Sequence, residues 1–239
     1  MAAKDETDEM GSPMIIKSVE GRNSPLIKFQ ENSSIIVTGS SKSGKTYWIN
    51  RFLQNLDQMF SGAAPQEVLY FYLHDQPLYA EMKKKLGDRI MFKEGIPTIQ
   101  DIMEFAHDDH HRLLVLDDVM HLIVNNKDIA LLCTNLVHHK NISCLIVYQN
   151  LFTQGKQAKT ISLNSSYLVL FKNIRDKAQI KCLGRQIYPD HTKVFLEYYT
   201  DAVRAPHSYL LIDLTAKTND AYRLRSHIFP GEQMVVYEV

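Results

Sequence analysis

Residues 39–46 read GSSKSGKT, a G-x-x-x-x-G-K-T run without a mismatch. Such a run constrains a fold only in one context, with a buried strand before it and a helix opening behind it. Ile35, Ile36 and Val37 precede it as a short β-branched apolar run, suited to a buried parallel strand. Ile49, Phe52, Leu53 and Leu56 follow at i, i+3, i+4 and i+7, one face of a helix. The chain is therefore expected to be α/β, with a mostly parallel sheet and helices on both of its faces.

A triphosphate is a dense anion, and residues 39–47 can answer it in three ways. Gly39 and Gly44 let backbone N–H groups turn inward and approach phosphates closely. Lys45 supplies a point charge to the β and γ phosphates, and the helix N-terminus adds its partial positive charge. Thr46 offers a hydroxyl to Mg²⁺, which takes few protein ligands and keeps most of its waters. Ser40, Ser41, Lys42 and Ser43 make the loop polar, and Tyr47 adjoins it. The run is thus expected to bind ATP with Mg²⁺.

Such a loop needs a carboxylate across from it, and RLLVLDD supplies one. Leu113 to Leu116 are expected as a buried strand that delivers Asp117 to a metal-bound water and Asp118 to the attacking water. The competing reading is a polar cap where the strand leaves the core. Gln149 closes the apolar run ISCLIVYQ, so it is expected at the same C-terminal end of the sheet, where open α/β sheets bind ligands. There it can sense the γ-phosphate or hold water; the competing reading is a solvated strand end.

The rest of the chain fits one domain over residues 14–239 behind a flexible acidic tail, residues 1–13. MIIKSV, LIKF, EVLYFYL, YLVLF, SYLLIDL and QMVVYEV are further strand candidates. Ile99, Ile102, Met103 and Ala106 repeat at helical spacing behind the N-cap candidate Thr98, and Ile129, Leu132, Cys133 and Leu136 do so behind Asp128. No apolar run approaches the ~20 residues of a membrane span, and the acidic start is unlike a signal peptide. The scattered Cys133, Cys144 and Cys182 fit buried packing in a reducing compartment. The histidines of HDDHH and HHK lack the spacing of a metal framework.

Lys plus Arg and Asp plus Glu number 27 each, so any argument for nucleic acid has to be local. Residues 156–185 hold seven Lys or Arg against one acid, Asp176. That is the footprint of a phosphate-backbone contact, or of a solvated helix face. The segment TQGKQAKT, residues 153–160, with Lys156 and Lys159, is a candidate DNA contact because it is polar, basic and follows the Gln149 strand.

A GTPase would carry Asp-x-x-Gly after the loop and Asn-Lys-x-Asp later; DDVM lacks the glycine and NNKD has another order. GSSKSGKT, LLVLDD, HHKNISCLIVYQNLF, SLNSSYLVLFKNIRD and RLRSHIFPGE together resemble the FtsK/HerA-superfamily genome-packaging ATPases of double-stranded DNA viruses, in the short form of poxvirus-like, virophage and Polinton-type elements. The similarity spans roughly residues 25–230. It implies a RecA-like P-loop core of the ASCE type that assembles into a pentameric or hexameric ring. It also implies double-stranded DNA and a capsid or portal protein as partners, no membrane, and action in the host nucleus, at a cytoplasmic assembly site or in the virion.

By position, Lys45 and Thr46 match the Walker A residues, Asp117 the Walker B carboxylate, Asp118 the catalytic acid and Gln149 the sensor. Two departures stand out. Asp118 is one methylene shorter than the family's glutamate. Relatives place a trans-acting arginine before the sensor strand, where this chain reads HHKN. Lys140 brings charge there without a guanidinium fork, and Arg175 and Arg185 are the other candidates. A small-molecule or nucleotide kinase, and a non-hydrolysing ATP-binding assembly factor, are the alternatives.

Overall fold

The computed structural model describes residues 14–16, 27–119, 122, 140–149, 164–175 and 177–239. Its strands are β1 (Met14–Ile16), β2 (Ser34–Thr38), β3 (Glu67–Tyr72), β4 (Ile90–Glu94), β5 (Arg112–Asp117), β6 (Ile142–Tyr148), β7 (Tyr167–Phe171), β8 (Tyr209–Asp213), β9 (Leu224–Ser226) and β10 (Met234–Tyr237). The longer helices among these residues are α1 (Lys45–Gln54), α2 (Pro77–Leu86), α3 (Ile99–Phe105), α4 (Lys177–Ile187) and α5 (Thr192–Ala202).

All ten strands join one sheet in the order β1-β10-β9-β8-β7-β2-β6-β5-β3-β4. From β7 to β4 the pairing is parallel; β8, β9, β10 and β1 extend the sheet antiparallel beyond β7. The glycine-loop strand β2 is separated from the Asp117 strand β5 by one strand, β6. That order is the RecA-like, ASCE arrangement, and it leaves a gap one strand wide between loop and carboxylate.

Every residue of β2, β5, β6 and β7 is buried, as parallel strands covered on both faces require. Alternation sorts their side chains into two layers. Ile36, Leu114, Leu116, Ile146 and Leu170 pack beneath α3, α4 and α5; Ile35, Val37, Val115, Val147 and Val169 pack beneath α1 and α2. The core thus lies on both sides of the sheet, and the C-terminal ends of the parallel strands are held rigidly from two sides.

Two expectations are corrected. Residues 27–29 of LIKF form no strand: Phe29 makes an isolated bridge to Phe60, because β6 and β7 already occupy both sides of β2. Its ring packs on Phe52 and Tyr167 instead. The helix behind Thr98 forms with a reciprocal Thr98–Asp101 capping box, but its buried face is Ile102, Phe105 and Ala106, and Ile99 and Met103 are exposed. Strands β4 and β9, and helices α2, α4 and α5, were not legible as such. The acidic tail, the helix expected around Ile129 to Leu136, and residues 153–160 with Lys156 and Lys159 lie outside the described residues.

Candidate active site

The end of β2 runs into residues 39–46, and α1 opens at Lys45. Two glycines are dictated by close approach. A Cβ on Gly39 would stand 2.5 Å from Phe171 Cβ, and Gly44, at φ 108°, would put one 2.7 Å from His207 Nδ1. The loop is therefore pressed between β7 and the residues that lead into β8. Ser40 Oγ ties it further by donating to the Lys172 carbonyl at 3.2 Å.

Within the loop, Lys45 Nζ donates to the carbonyls of Gly39 at 2.7 Å and Ser40 at 2.9 Å. Burial pushes the Lys45 pKa down, while the charges of Asp117 and Asp118 push it back up. A half-buried ammonium with two carboxylates in Coulombic reach is a charge pattern that a metal–phosphate complex completes. Ser43 Oγ is buried in the same loop without a hydrogen-bond partner.

Across from the loop, the two consecutive aspartates occupy different environments. Asp117 is buried, and its Oδ2 accepts from Tyr70 Oη at 2.6 Å and from Tyr79 Oη at 2.9 Å. Burial raises the Asp117 pKa, and the two tyrosine bonds oppose that rise. Burial and the Asp117 charge push both tyrosines upward in turn, so they stay protonated and donate. Asp118 is exposed with a φ of 58° and takes both oxygens to Gln149 Nε2, each at 3.1 Å.

These groups surround one cavity of about 440 Å³, lined by Lys42, Lys45, Thr46, Asp117, Asp118 and Gln149 among others. Tyr47, Gln76 and His207 complete the wall. The Tyr47 and His207 ring centroids lie 6.5 Å apart. The loop glycines, the ammonium, the orphan Ser43 hydroxyl and the opposed carboxylates fit a nucleotide triphosphate and its metal. Thr46 and Asp117 are the residues that would hold Mg²⁺.

A model of the AAA domain family matches residues 27–154, more than half of the chain. The chain belongs to the AAA domain family. The match takes in the glycine loop, Asp117, Asp118 and Gln149; of the residues that line the cavity, His207 lies outside it. No curated protein matches the sequence. Among solved structures the chain is similar to the flagellar accessory protein FlaH from Methanocaldococcus jannaschii, at 16% identity and a TM-score of 0.45, over 66% of this chain and 80% of that one. It is similar to the genome packaging NTPase B204 from Sulfolobus turreted icosahedral virus 2, solved with ATP-gammaS, at 10% identity and a TM-score of 0.47, over 78% and 94%. The cytoplasmic domain of EssC matches at 12% identity and a TM-score of 0.44, over 64% of this chain and 33% of that one. Similarity at this level carries no functional argument, and the AAA domain is read from its own geometry.

The structure brings residues 41, 42, 44–47, 117, 118 and 149 to one cavity; Gly39, Ser40 and Ser43 shape the loop behind it. The candidate trans-acting cations are elsewhere. Lys140 is exposed before β6, at the end of the sheet opposite the loop, and Arg175 and Arg185 are exposed after β7 and on α4. None of the three lines the cavity of its own chain. Tyr70, Tyr79, Gln76 and His207 escaped the sequence reading. Tyr70 lies on β3 beside Val115, so its relation to Asp117 exists only through strand register. His207 reaches the cavity because β8 runs antiparallel and begins at the loop's end of the sheet. Among the described residues no group of three or more His, Cys, Asp or Glu could hold a metal ion, and no helix is long and apolar enough to cross a membrane.

Proposed function

We propose that this AAA-family chain is an ATP-driven motor of the FtsK/HerA superfamily that moves viral double-stranded DNA into a preformed capsid, hydrolysing Mg-ATP at the interfaces of a homo-oligomeric ring. The observation that carries hydrolysis is the Asp118–Gln149 contact at the cavity mouth. A carboxylate fixed by an amide and open to the cavity is placed to orient a water and accept its proton. Transfer of the γ-phosphoryl group to that water leaves ADP and inorganic phosphate. Lys45 steadies the phosphate charge, and bound Mg²⁺ would neutralise more of it.

The choice of DNA as the load rests on the packaging-ATPase motifs and on the basic segment 153–160, with Lys156 and Lys159 as the side chains that would meet the backbone. Contacts of such side chains to phosphates are independent of sequence, as a translocating machine needs. The capsid or portal as partner, and the host nucleus, cytoplasmic assembly site or virion as location, follow from the same motifs. A kinase is disfavoured because no arginine lines the cavity among the described residues. That same observation supports a second reading, an ATP-binding assembly factor that turns over only when another subunit supplies the cation.

The test is ATP hydrolysis with and without long double-stranded DNA across a range of protein concentrations, with Lys45→Ala as the blank. A motor with shared sites gives turnover that rises with DNA and more steeply than linearly with protein. Tight ATP binding without turnover under every condition selects the assembly factor instead.

A further inference from the structure

Two surfaces on the face covered by α3, α4 and α5, one beside the central strand β7 and one at the β4 edge, complement each other. The first is a groove of about 670 Å³ between α4 and α5, beside the end of β7. Ile180, Leu196 and Val203 form its apolar floor, and Lys172, Lys177 and Lys181 stand exposed around it. Among the described residues these three lysines make no ion pair; Arg204 on the same wall is paired with Asp201 at 2.6 Å. Ile174, the most exposed large apolar side chain described at 70%, lies at the groove.

The second surface is the far edge of the sheet. Strand β4 pairs with β3 alone, and α3 follows it over the neighbouring strands. Met91, Ile99 and Met103 are exposed here at 43%, 50% and 48%, three of the seven large apolar side chains that stand out among the described residues. Ile99 and Met103 are one helical turn apart on α3. Glu104 is exposed on α3 between Ile99 and the end of the helix, and Glu94 stands exposed at the end of β4, while the nearby Lys93 is neutralised by Asp101 at 2.5 Å.

Isolated apolar side chains on a surface are ordinary, but three gathered at an open strand edge mark a contact site. A phosphate backbone would match the lysines of the groove and leave its apolar floor unused. A protein surface that carries apolar and acidic groups together matches both, and this chain bears such a surface itself. We propose that the α4–α5 groove of one copy receives the β4–α3 edge of the next. A contact between two different faces of one chain is head-to-tail, so it closes into a ring or runs on as a filament. The inference rests on the ring proposed above and names its contact faces. Because Lys172 also accepts the Ser40 hydroxyl bond, a copy seated in the groove adjoins the segment that holds the phosphate loop.

Sedimentation velocity on the full chain, with and without Mg-ATP, tests this using two charge-reversed variants. Lys177→Glu/Lys181→Glu makes the groove acidic, and Glu94→Lys/Glu104→Lys makes the edge basic. The wild type is expected to associate as concentration rises, and each variant alone to need at least about tenfold more protein. An equimolar mixture of the two is expected to recover association, because each variant then finds an opposite face. A misfolded variant would not be rescued in this way. Wild-type assembly by both variants alone, or a mixture that stays monomeric, overturns the pairing and leaves the ring proposal standing. A wild type that is monomeric at every concentration removes the pairing and the ring together.

Discussion

Gln149 donates its single amide nitrogen to both carboxylate oxygens of Asp118, 3.1 Å from each, across the ends of two neighbouring strands. One residue earlier, Asp117 is buried and turned to two tyrosines. The left-handed backbone at Asp118, φ 58°, is what separates the two aspartates. One carboxylate is fixed in the wall, and the other is presented to the cavity.

That separation predicts distinct losses. Asp118→Asn keeps the size of the side chain and removes its ability to take a proton. It should lower kcat by about 10²–10⁴-fold while nucleotide affinity stays within a few-fold. Gln149→Ala should lower kcat in the same direction with less effect. Steady-state kinetics beside fluorescent-nucleotide binding separate these terms, and a loss of binding equal to the loss of rate would contradict the assignment.

Tyr70 and Tyr79 both spend their hydroxyls on Asp117 Oδ2. Tyr70→Phe or Tyr79→Phe deletes one donor and leaves the ring. Each should weaken Mg²⁺-dependent nucleotide binding by about 10–100-fold, the usual cost of losing a group that orients a metal ligand. A Mg²⁺ titration of nucleotide affinity reads this directly, and metal-free affinity should hardly change.

Among the described residues the most enclosed ion pair is away from the cavity. Arg225 Nη2 donates to Asp213 Oδ2 at 2.8 Å, and Thr218 donates to the same oxygen at 2.8 Å. Both charged groups are essentially without solvent exposure. Asp213→Ala leaves a guanidinium buried without its carboxylate and should cost about 3–5 kcal/mol in urea unfolding. Replacing both residues with apolar ones should cost much less.

His111 predicts a pH dependence. Its Nδ1 meets the Ala63 carbonyl at 2.6 Å and its Nε2 meets Ser143 Oγ at 2.8 Å, and burial pushes its pKa below the ordinary 6.5. The folded state therefore resists the proton that the unfolded chain accepts. Stability is complete above about pH 6.5 and falls as pH drops through the folded value. His111→Gln should flatten that slope when urea midpoints are compared between neutral and mildly acidic pH.

How far the sequence reached follows from what each signal depends on. The glycine loop, β5, β7 and the end of β6 were legible because each is a contiguous pattern: a fixed motif, or an apolar run closed by a polar residue. β4 was not, since IMFKE is a half-exposed edge strand with one fully buried residue. α4 was hidden because its charged face outweighs a narrow buried one; it buries only Ile180, Leu183 and Gly184. At the site, Lys45, Thr46, Asp117, Asp118 and Gln149 were readable from motif position. Tyr70, Tyr79 and His207 were not, because their contribution comes from register, helix docking and strand reversal.

The central claim is movement along double-stranded DNA, and displacement of a third strand measures it most directly. A linear duplex carrying a triplex-forming oligonucleotide far from its ends is incubated with the full chain and Mg-ATP. The account predicts ATP-dependent release of the oligonucleotide, with none for Lys45→Ala and strong slowing for Asp118→Asn. Hydrolysis that proceeds while the oligonucleotide stays bound would contradict it.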